Sequence, residues 1–445
     1  MLLSRPAPAQ ARAPPAPSPS AIPADILGDA ALAAAVAALP PNYSFEVHKC
    51  VWKVRAAGAK RVGLQLPEGL LLYACTLGDI LTRFTGAETV VLGDVTYGAC
   101  CVDDLGAAAL GCDFLIHYGH SCLVPIDAMG GGLRVLYVFV SIAFDVAHLC
   151  ATVRAHFAPA ERLALAGTIQ FAGALAEARA ALGGEFASLA VPQAKPLSPG
   201  EVLGCTAPAL LGGGSGFCGG KGSGGGGAGE ASPPTALVFV ADGRFHLEAM
   251  MIRNPGLPAY RYDPYSKTMT RERYDHAGMQ AARRAAIASA AASLPGLQRA
   301  GGSGTAGDAA SCKPWGLVLG TLGRQGSPAV LNRLASALDA AGVAHFTVLL
   351  GEVSAAKLAA FGAGAVGAWV QVACPRLSID WGEGLADAVG APVLTPFEAH
   401  AALGLAPWPG EEGGGGGAAA YPMDYYEKNS GPWTNYYKAP PAKSI

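Results

Sequence analysis

No two cysteines of this chain stand three residues apart. That absence excludes zinc ribbons, thioredoxin-type dithiols and ferredoxin runs, all of which need a CxxC pair. Long apolar runs are missing as well. The longest, such as VLYVFV and GLVLG, are strand-length, short of the roughly 20 residues a membrane-spanning helix needs. Charge is sparse: 14% of residues are Asp, Glu, Lys or Arg, the formal net charge is −2, and there is no basic stripe. A nucleic-acid binder held by phosphate contacts is thereby excluded, whereas a protein partner is not.

Cysteine itself is plentiful. Eleven is an odd number, and no secretory apolar segment precedes the first of them. Together these features indicate a reducing, cytoplasmic setting with free or metal-bound thiols rather than a disulfide framework. The stretch MLLSRPAPAQARAPPAPSPS carries Arg and Ser and no acid before Asp25. Those are traits of an organelle-import peptide, but dense proline opposes the amphipathic helix such peptides form. Residues 1–21 read as a disordered leader.

The remaining chain shows a repeating pattern: an apolar strand, a loop of Gly and polar residues, then a helix. IPADILGDAALAAAVAALP is a helical lead-in. The first unit, residues 22–141, offers the strands RVGLQ, ETVVL, FLIHY and RVLYV. The second, 142–265, offers RLALAG, a degraded LAVP stretch, TALVFV and AYRYD. The third, 266–405, offers WGLVLG, AHFTVLL, AWVQV and APVL. Apolar runs alternating with helices imply parallel strands buried on both faces. The fold expected is α/β: three related Rossmann-like domains with four-stranded parallel sheets. Ligands in such sheets bind beyond the carboxyl ends of the strands.

A helix is expected over Arg271–Leu294, bridging the second and third units. Three Gly/Ser-rich tracts, Gly212–Pro234, Gly301–Ser311 and Gly410–Gly417, cannot bury a core and read as flexible insertions or linkers. Residues 406–445 form an extended tail. Its aromatic-rich end, YPMDYYEKNSGPWTNYYK, is expected to dock on a surface of this chain or of a partner.

Three cysteines lie in polar strand-end contexts: Cys100 in DVTYGACCVDD, Cys205 in SPGEVLGCTAP and Cys374 in WVQVACPRLSIDWG. They are too far apart for a local knuckle and can meet only if the three units point at one centre. Three converging thiolates would hold an iron–sulfur cluster with one iron open for chemistry. Spacing alone does not choose between Cys100 and its neighbour Cys101. Cys122, in HYGHSC, is a weaker candidate ligand. Cys50, Cys75, Cys112 and Cys150 read as ordinary buried thiols, and Cys218 and Cys312 as incidental to the Gly/Ser tracts. Cys100 and Cys205 follow the second strand of their units, whereas Cys374 follows the third.

The sequences around these cysteines resemble the diphthamide-synthesis family. The resemblance rests on GDVTYGACCVDD, FLIHYGHSCLVPID, TIQF, PLSPGEVLGCT, ADGRFHLEAMMIRNP, YRYDPY, LGTLGRQGSP and VQVACPRLSIDWG. It implies three domains in pseudo-threefold arrangement around a central 4Fe-4S cluster, each giving one cysteine. Matched motif to motif, these are Cys100 rather than Cys101, then Cys205 and Cys374. It implies S-adenosylmethionine as co-substrate at the open iron. The 3-amino-3-carboxypropyl group would pass to the imidazole C2 of a histidine in translation elongation factor 2. It also implies a homologous second subunit as partner and a small iron protein as electron donor. The hard chemistry would belong to the cofactor.

A cleft for that co-substrate should offer an Arg, an acid and anion-binding amides. Arg376 and Asp380 follow Cys374; Arg324 and Gln325 open a helix whose first amides favour an anion; Gln170 ends a strand of the second unit. For each, a loop cap or an inter-domain salt bridge is the plainer role. His117 and His120 read as structural or cavity-lining, and Asp242, Arg244 and His246 as further strand-end polar groups. Two other functions fit less well. A non-catalytic, cluster-holding partner subunit is disfavoured by the three cysteines together with the CPRLSIDWG and LGRQGSP forms. A quinolinate-synthase-like dehydratase shares the architecture but not the motifs.

Overall fold

Apolar runs bounded by polar loops form strands buried on both faces, as β4 and β9 below illustrate with every residue buried. The computed structural model describes residues 22–94, 96, 98–119, 121, 123–195, 197–211, 232–295, 313–409, 420–427 and 430–438. The expected leader, nearly all of the three Gly/Ser tracts, His120, Cys122, Cys218 and Cys312 lie outside the described residues.

In chain order the strands are β1 (Tyr43–Ser44), β2 (Arg61–Gln65), β3 (Glu88–Leu92), β4 (Phe114–Tyr118), β5 (Arg134–Val138), β6 (Ser141–Ile142), β7 (Arg162–Gly167) and β8 (Ser188–Ala190). They continue with β9 (Ala236–Val240), β10 (Ala259–Asp263), β11 (Thr268–Glu272), β12 (Trp315–Gly320), β13 (His345–Leu350), β14 (Trp369–Val372) and β15 (Val393–Leu394). They build three sheets of one topology. The orders are β3-β2-β4-β5, β8-β7-β9-β10 and β13-β12-β14-β15, all parallel. In each, the second strand lies outside the first, and the third and fourth lie on the other side. A short antiparallel pair, β1 with β6, joins the helical lead-in to the end of the first domain.

The second sheet gains one strand. β11 folds back antiparallel on β10, so the hairpin turns at residues 265–266, where the sequence pattern placed a domain boundary. The helix expected from Arg271 therefore starts later, at His276, and runs to Ala292. Its N-cap is Asp275, whose carboxylate accepts from the Gly278 amide at 2.8 Å, the usual way to satisfy an orphan helix donor. TMTRE leaves Thr268, Thr270 and Arg271 exposed, as an edge strand does, and pairing with β10 overrides the helical propensity of Arg271 and Glu272.

Helices cover both faces of the sheets and close separate cores around each. One further core lies where domains meet. It joins Cys100, Cys101 and Cys205 to Leu123, Leu197, Leu203 and the β12–β14 face, together with Tyr425 and Tyr426 of the tail. The tail thus docks on this chain's own surface. Cys50, Cys112 and Cys150 are buried as expected; Cys75 is exposed, on the outer side of helix Ala74–Thr85.

Candidate metal centre

Cys100 sits in a single tight turn, Ala99–Cys101, beyond the carboxyl end of β3. Gln65, the last residue of β2, clamps that turn. Its amide nitrogen donates to the Cys101 carbonyl at 2.8 Å, and its oxygen accepts from the Asp103 amide at 3.1 Å. His117 Nδ1 on β4 lies 2.8 Å from the same oxygen. His117 is therefore a buried support for the turn.

The third domain holds the turn from the other side. The Arg324 amide donates to the Cys100 carbonyl at 2.8 Å. Its guanidinium donates twice to Asp104, at 2.8 and 2.5 Å. Burial acts to raise the Asp104 carboxyl, but Arg324 and the Gly130 amide outweigh it and hold the group below its ordinary value. Gly323 has φ +53°, and a side chain there would overlap the Cys101 backbone. Only glycine fits this close approach without strain. Gln325 Nε2 donates to Cys101 Sγ at 3.3 Å.

Cys205 lies in a turn closed by pairing of Leu203 with Thr206. Gly204 packs flat against the Phe245 ring, with no room for a Cβ. Cys374 is the N-cap of helix Pro375–Val389, with Pro375 in the first turn, where a missing amide hydrogen costs nothing. That position points the helix N-terminus at the thiol, which favours thiolate. Arg376 joins the two loops. Its guanidinium donates to the carbonyls of Phe245 at 2.8 Å and Gly204 at 3.4 Å, and pairs with Glu248 at 2.6 Å and Asp380 at 2.8 Å.

The three cysteines line one small cavity with Gln325, Ala373, Pro375, Tyr425 and Tyr426. Each thiol comes from a different domain. Cys101 is not among the lining residues; its sulfur lies 4.0 Å from that of Cys100. The contact with Cys101, then burial, pushes the Cys100 thiol up; burial and then Cys374 push up Cys205; burial pushes Cys374 to about 11. Burial in this apolar cavity makes the thiolate form costly, and a bound cationic group offsets that cost by displacing the protons. Among the described residues no three His, Cys, Asp or Glu side chains close on a single ion. Three thiols around a cavity without carboxylates suit a larger, thiolate-ligated iron–sulfur group.

Of the five polar residues singled out from the sequence, only Gln325 lines this cavity. Arg324 is engaged by Asp104, and Arg376 by Glu248 and Asp380. Gln170 lines a second pocket, between the first and second domains, with Thr168, Asp242, His246, Tyr43 and Tyr265. Arg244 lies outside it, paired with Glu272. Sequence reasoning missed Gln65, Gly323 and the tail tyrosines; the density of aromatics in the tail was the one visible signal.

The sequence model of the "Putative diphthamide synthesis protein" family matches residues 66–297 and 304–412. A chicken (Gallus gallus) protein named 2-(3-amino-3-carboxypropyl)histidine synthase subunit 1 is 51% identical over 423 residues, covering 95% of this chain and 90% of its own. Its Homo sapiens counterpart is 49% identical over 431 residues, covering 97% and 86%. Among solved structures, Dph2 from Pyrococcus horikoshii with a 4Fe-4S cluster superposes with a TM-score of 0.60 at 25% identity, covering 82% of this chain and 91% of that one. The converging cysteines, the shared fold and these matches agree: the chain belongs to the diphthamide-synthesis family.

Proposed function

We propose that this chain is the cluster-bearing subunit of an S-adenosylmethionine-dependent transferase. It would pass a 3-amino-3-carboxypropyl group to the imidazole C2 of a histidine in translation elongation factor 2. The observation that carries this reading is the cavity lined by Cys100, Cys205 and Cys374, one thiol from each domain. Relatives about half identical over nearly the whole chain carry the name of such a synthase, and the related Dph2 structure holds a 4Fe-4S cluster.

In this reading the three cysteines hold a 4Fe-4S cluster. When bound, it supplies an electron and one open iron at which a sulfonium can be activated. The chain's own residues do the positioning. Gln65 and Arg324 fix the first thiol, Arg376 the second and third. Gln325 is the polar side chain placed to meet the co-substrate at the cavity. Asp242 and Gln170 make the neighbouring inter-domain pocket suitable for a polar, cationic group. Orientation of this kind supplies much of a rate enhancement without any general base of unusual acidity.

A homologous second subunit and a small iron-protein electron donor complete the system. The "subunit 1" in the relatives' names supports the first of these. All described cysteines are free, in keeping with a reducing, cytoplasmic setting. No helix among the described residues is long and apolar enough to cross a membrane.

The test is product analysis. The chain is incubated anaerobically with a second subunit, the elongation factor, carboxypropyl-labelled S-adenosylmethionine and reductant. Methylthioadenosine together with label on the factor is expected. Formation of 5′-deoxyadenosine instead would overturn the bond cleavage proposed.

A further inference from the structure

The cysteine cavity has a fourth wall, and none of the three domains supplies it. Asp424, Tyr425 and Tyr426 of the tail do. Asp424 Oδ1 accepts from Thr206 Oγ1 at 3.2 Å and from the Tyr426 amide at 2.9 Å. The tail is thus pinned to the residue after Cys205. Arg253 pairs with Glu427, and Arg333 donates to the carbonyls of Pro432 and Thr434 at 2.8 and 2.7 Å. The Asn435 amide returns to the Tyr425 carbonyl at 2.8 Å. This placement is fixed from both sides.

Tyr425 and Tyr426 meet edge to face, with ring centroids 5.4 Å apart, and both line the cavity beside all three ligand thiols. Tyr426 is 6% exposed. A buried tyrosine hydroxyl ordinarily has a hydrogen-bond partner. Among the described residues the Tyr426 hydroxyl makes no hydrogen bond; Thr206 and Asp424 beside it bond to each other, and Tyr426 meets Asp424 only through its backbone amide.

We infer that Tyr426 is a positioning residue of the cluster: its phenol donates a hydrogen bond to a cluster or ligand sulfur and so sets the reduction potential. The inference rests on the cluster reading above. A donor to sulfur stabilises the reduced, more negative state, and hydrogen bonds of this kind are among the levers that set cluster potentials. The potential matters because an electron must leave the cluster for the sulfonium.

The experiment uses the full chain reconstituted anaerobically with iron and sulfide, and reads the midpoint potential by spectroscopic redox titration. Two variants are compared with the unmodified chain: Tyr426→Phe, and 3-fluorotyrosine placed at 426. The first removes the donor and keeps the ring; the second keeps the shape and strengthens the donor. Tyr426→Phe is expected to hold the same iron and titrate at a more negative potential, and the fluorinated chain at a more positive one. Unchanged potentials, or shifts of the same sign, overturn the inference. Should Tyr426→Phe lose its iron, the fluorinated chain decides by the sign of its shift. An unmodified chain that takes up no cluster overturns the functional reading itself, whereas a normal cluster indifferent to position 426 overturns this inference alone.

Discussion

The backbone amide of Arg324 donates to the carbonyl of Cys100 at 2.8 Å, so the first of the three cavity cysteines is held by a loop of the third domain. The third domain holds the second in the same way: Arg376, two residues after the third-domain cysteine, donates to the carbonyl of Gly204, beside the second-domain cysteine. Each guanidinium that a substrate carboxylate could have used is spent on a neighbouring domain. The site is therefore a property of the interfaces, and its integrity should follow theirs.

Gly323→Ala tests the first interface. The glycine has φ +53°, and an added methyl would overlap the Cys101 backbone. A strained backbone position costs about 1–3 kcal/mol, and here the strain falls on the turn that carries Cys100. The expected result is a lower thermal midpoint and loss of most of the bound iron, read by melting and iron assay. Native iron content in this variant would contradict the brace.

Arg376→Lys tests the second. Lysine keeps the charge but not the planar fork. It leaves carbonyls of Phe245 and Gly204 and a carboxylate of Glu248 or Asp380 short of donors. Each buried group so orphaned costs roughly 1–3 kcal/mol. Stability and cluster retention should fall together, while the far-ultraviolet circular dichroism stays near that of the unmodified chain. A variant as stable as the parent would show that the fork is dispensable.

Much of this was legible beforehand. Most strands of the three parallel sheets carry the apolar runs such sheets require, and the cysteine loops could be placed at their carboxyl ends because such runs stop at Gly, Pro and polar residues. The helix expected from Arg271 takes in Arg271 and Glu272, the last two residues of TMTRE, because their charges suit a helix start; only pairing with AYRYD makes them strand. The sequence offers Arg324 and Arg376 to the co-substrate cleft, whereas the structure engages them with Asp104 and Glu248, 220 and 128 residues away in sequence. No local pattern encodes such pairs. The same holds for Gln65, whose two-ended clamp exists only once β2 lies beneath the Cys100 turn, and for the tail, whose tyrosines find the cavity across Gly-rich sequence.

Glu201 predicts a pH dependence. It is fully buried, pairs with Ser121 of the first domain and accepts from the Ser198 amide at 2.9 Å. Burial raises its carboxyl above the ordinary value, against those hydrogen bonds. A raised folded-state value means the folded chain binds the proton more readily. The contribution is present below the unfolded value of about 4.3 and is lost as pH rises through the folded value. Glu201→Gln removes this titration, so its stability relative to the parent should increase from acid toward neutral pH. Melting curves across that range check it; parallel profiles for the two proteins would contradict it.

The most direct measurement is iron bound per chain after anaerobic reconstitution, compared across four single substitutions. The unmodified chain should hold about four irons with the broad visible absorbance of a thiolate-ligated cluster. Cys100→Ala, Cys205→Ala and Cys374→Ala should each lose the stable cluster, and Cys101→Ala should keep it. A cluster lost in Cys101→Ala and kept in Cys100→Ala, or a full complement of iron after loss of any of the three cavity thiols, would contradict the account.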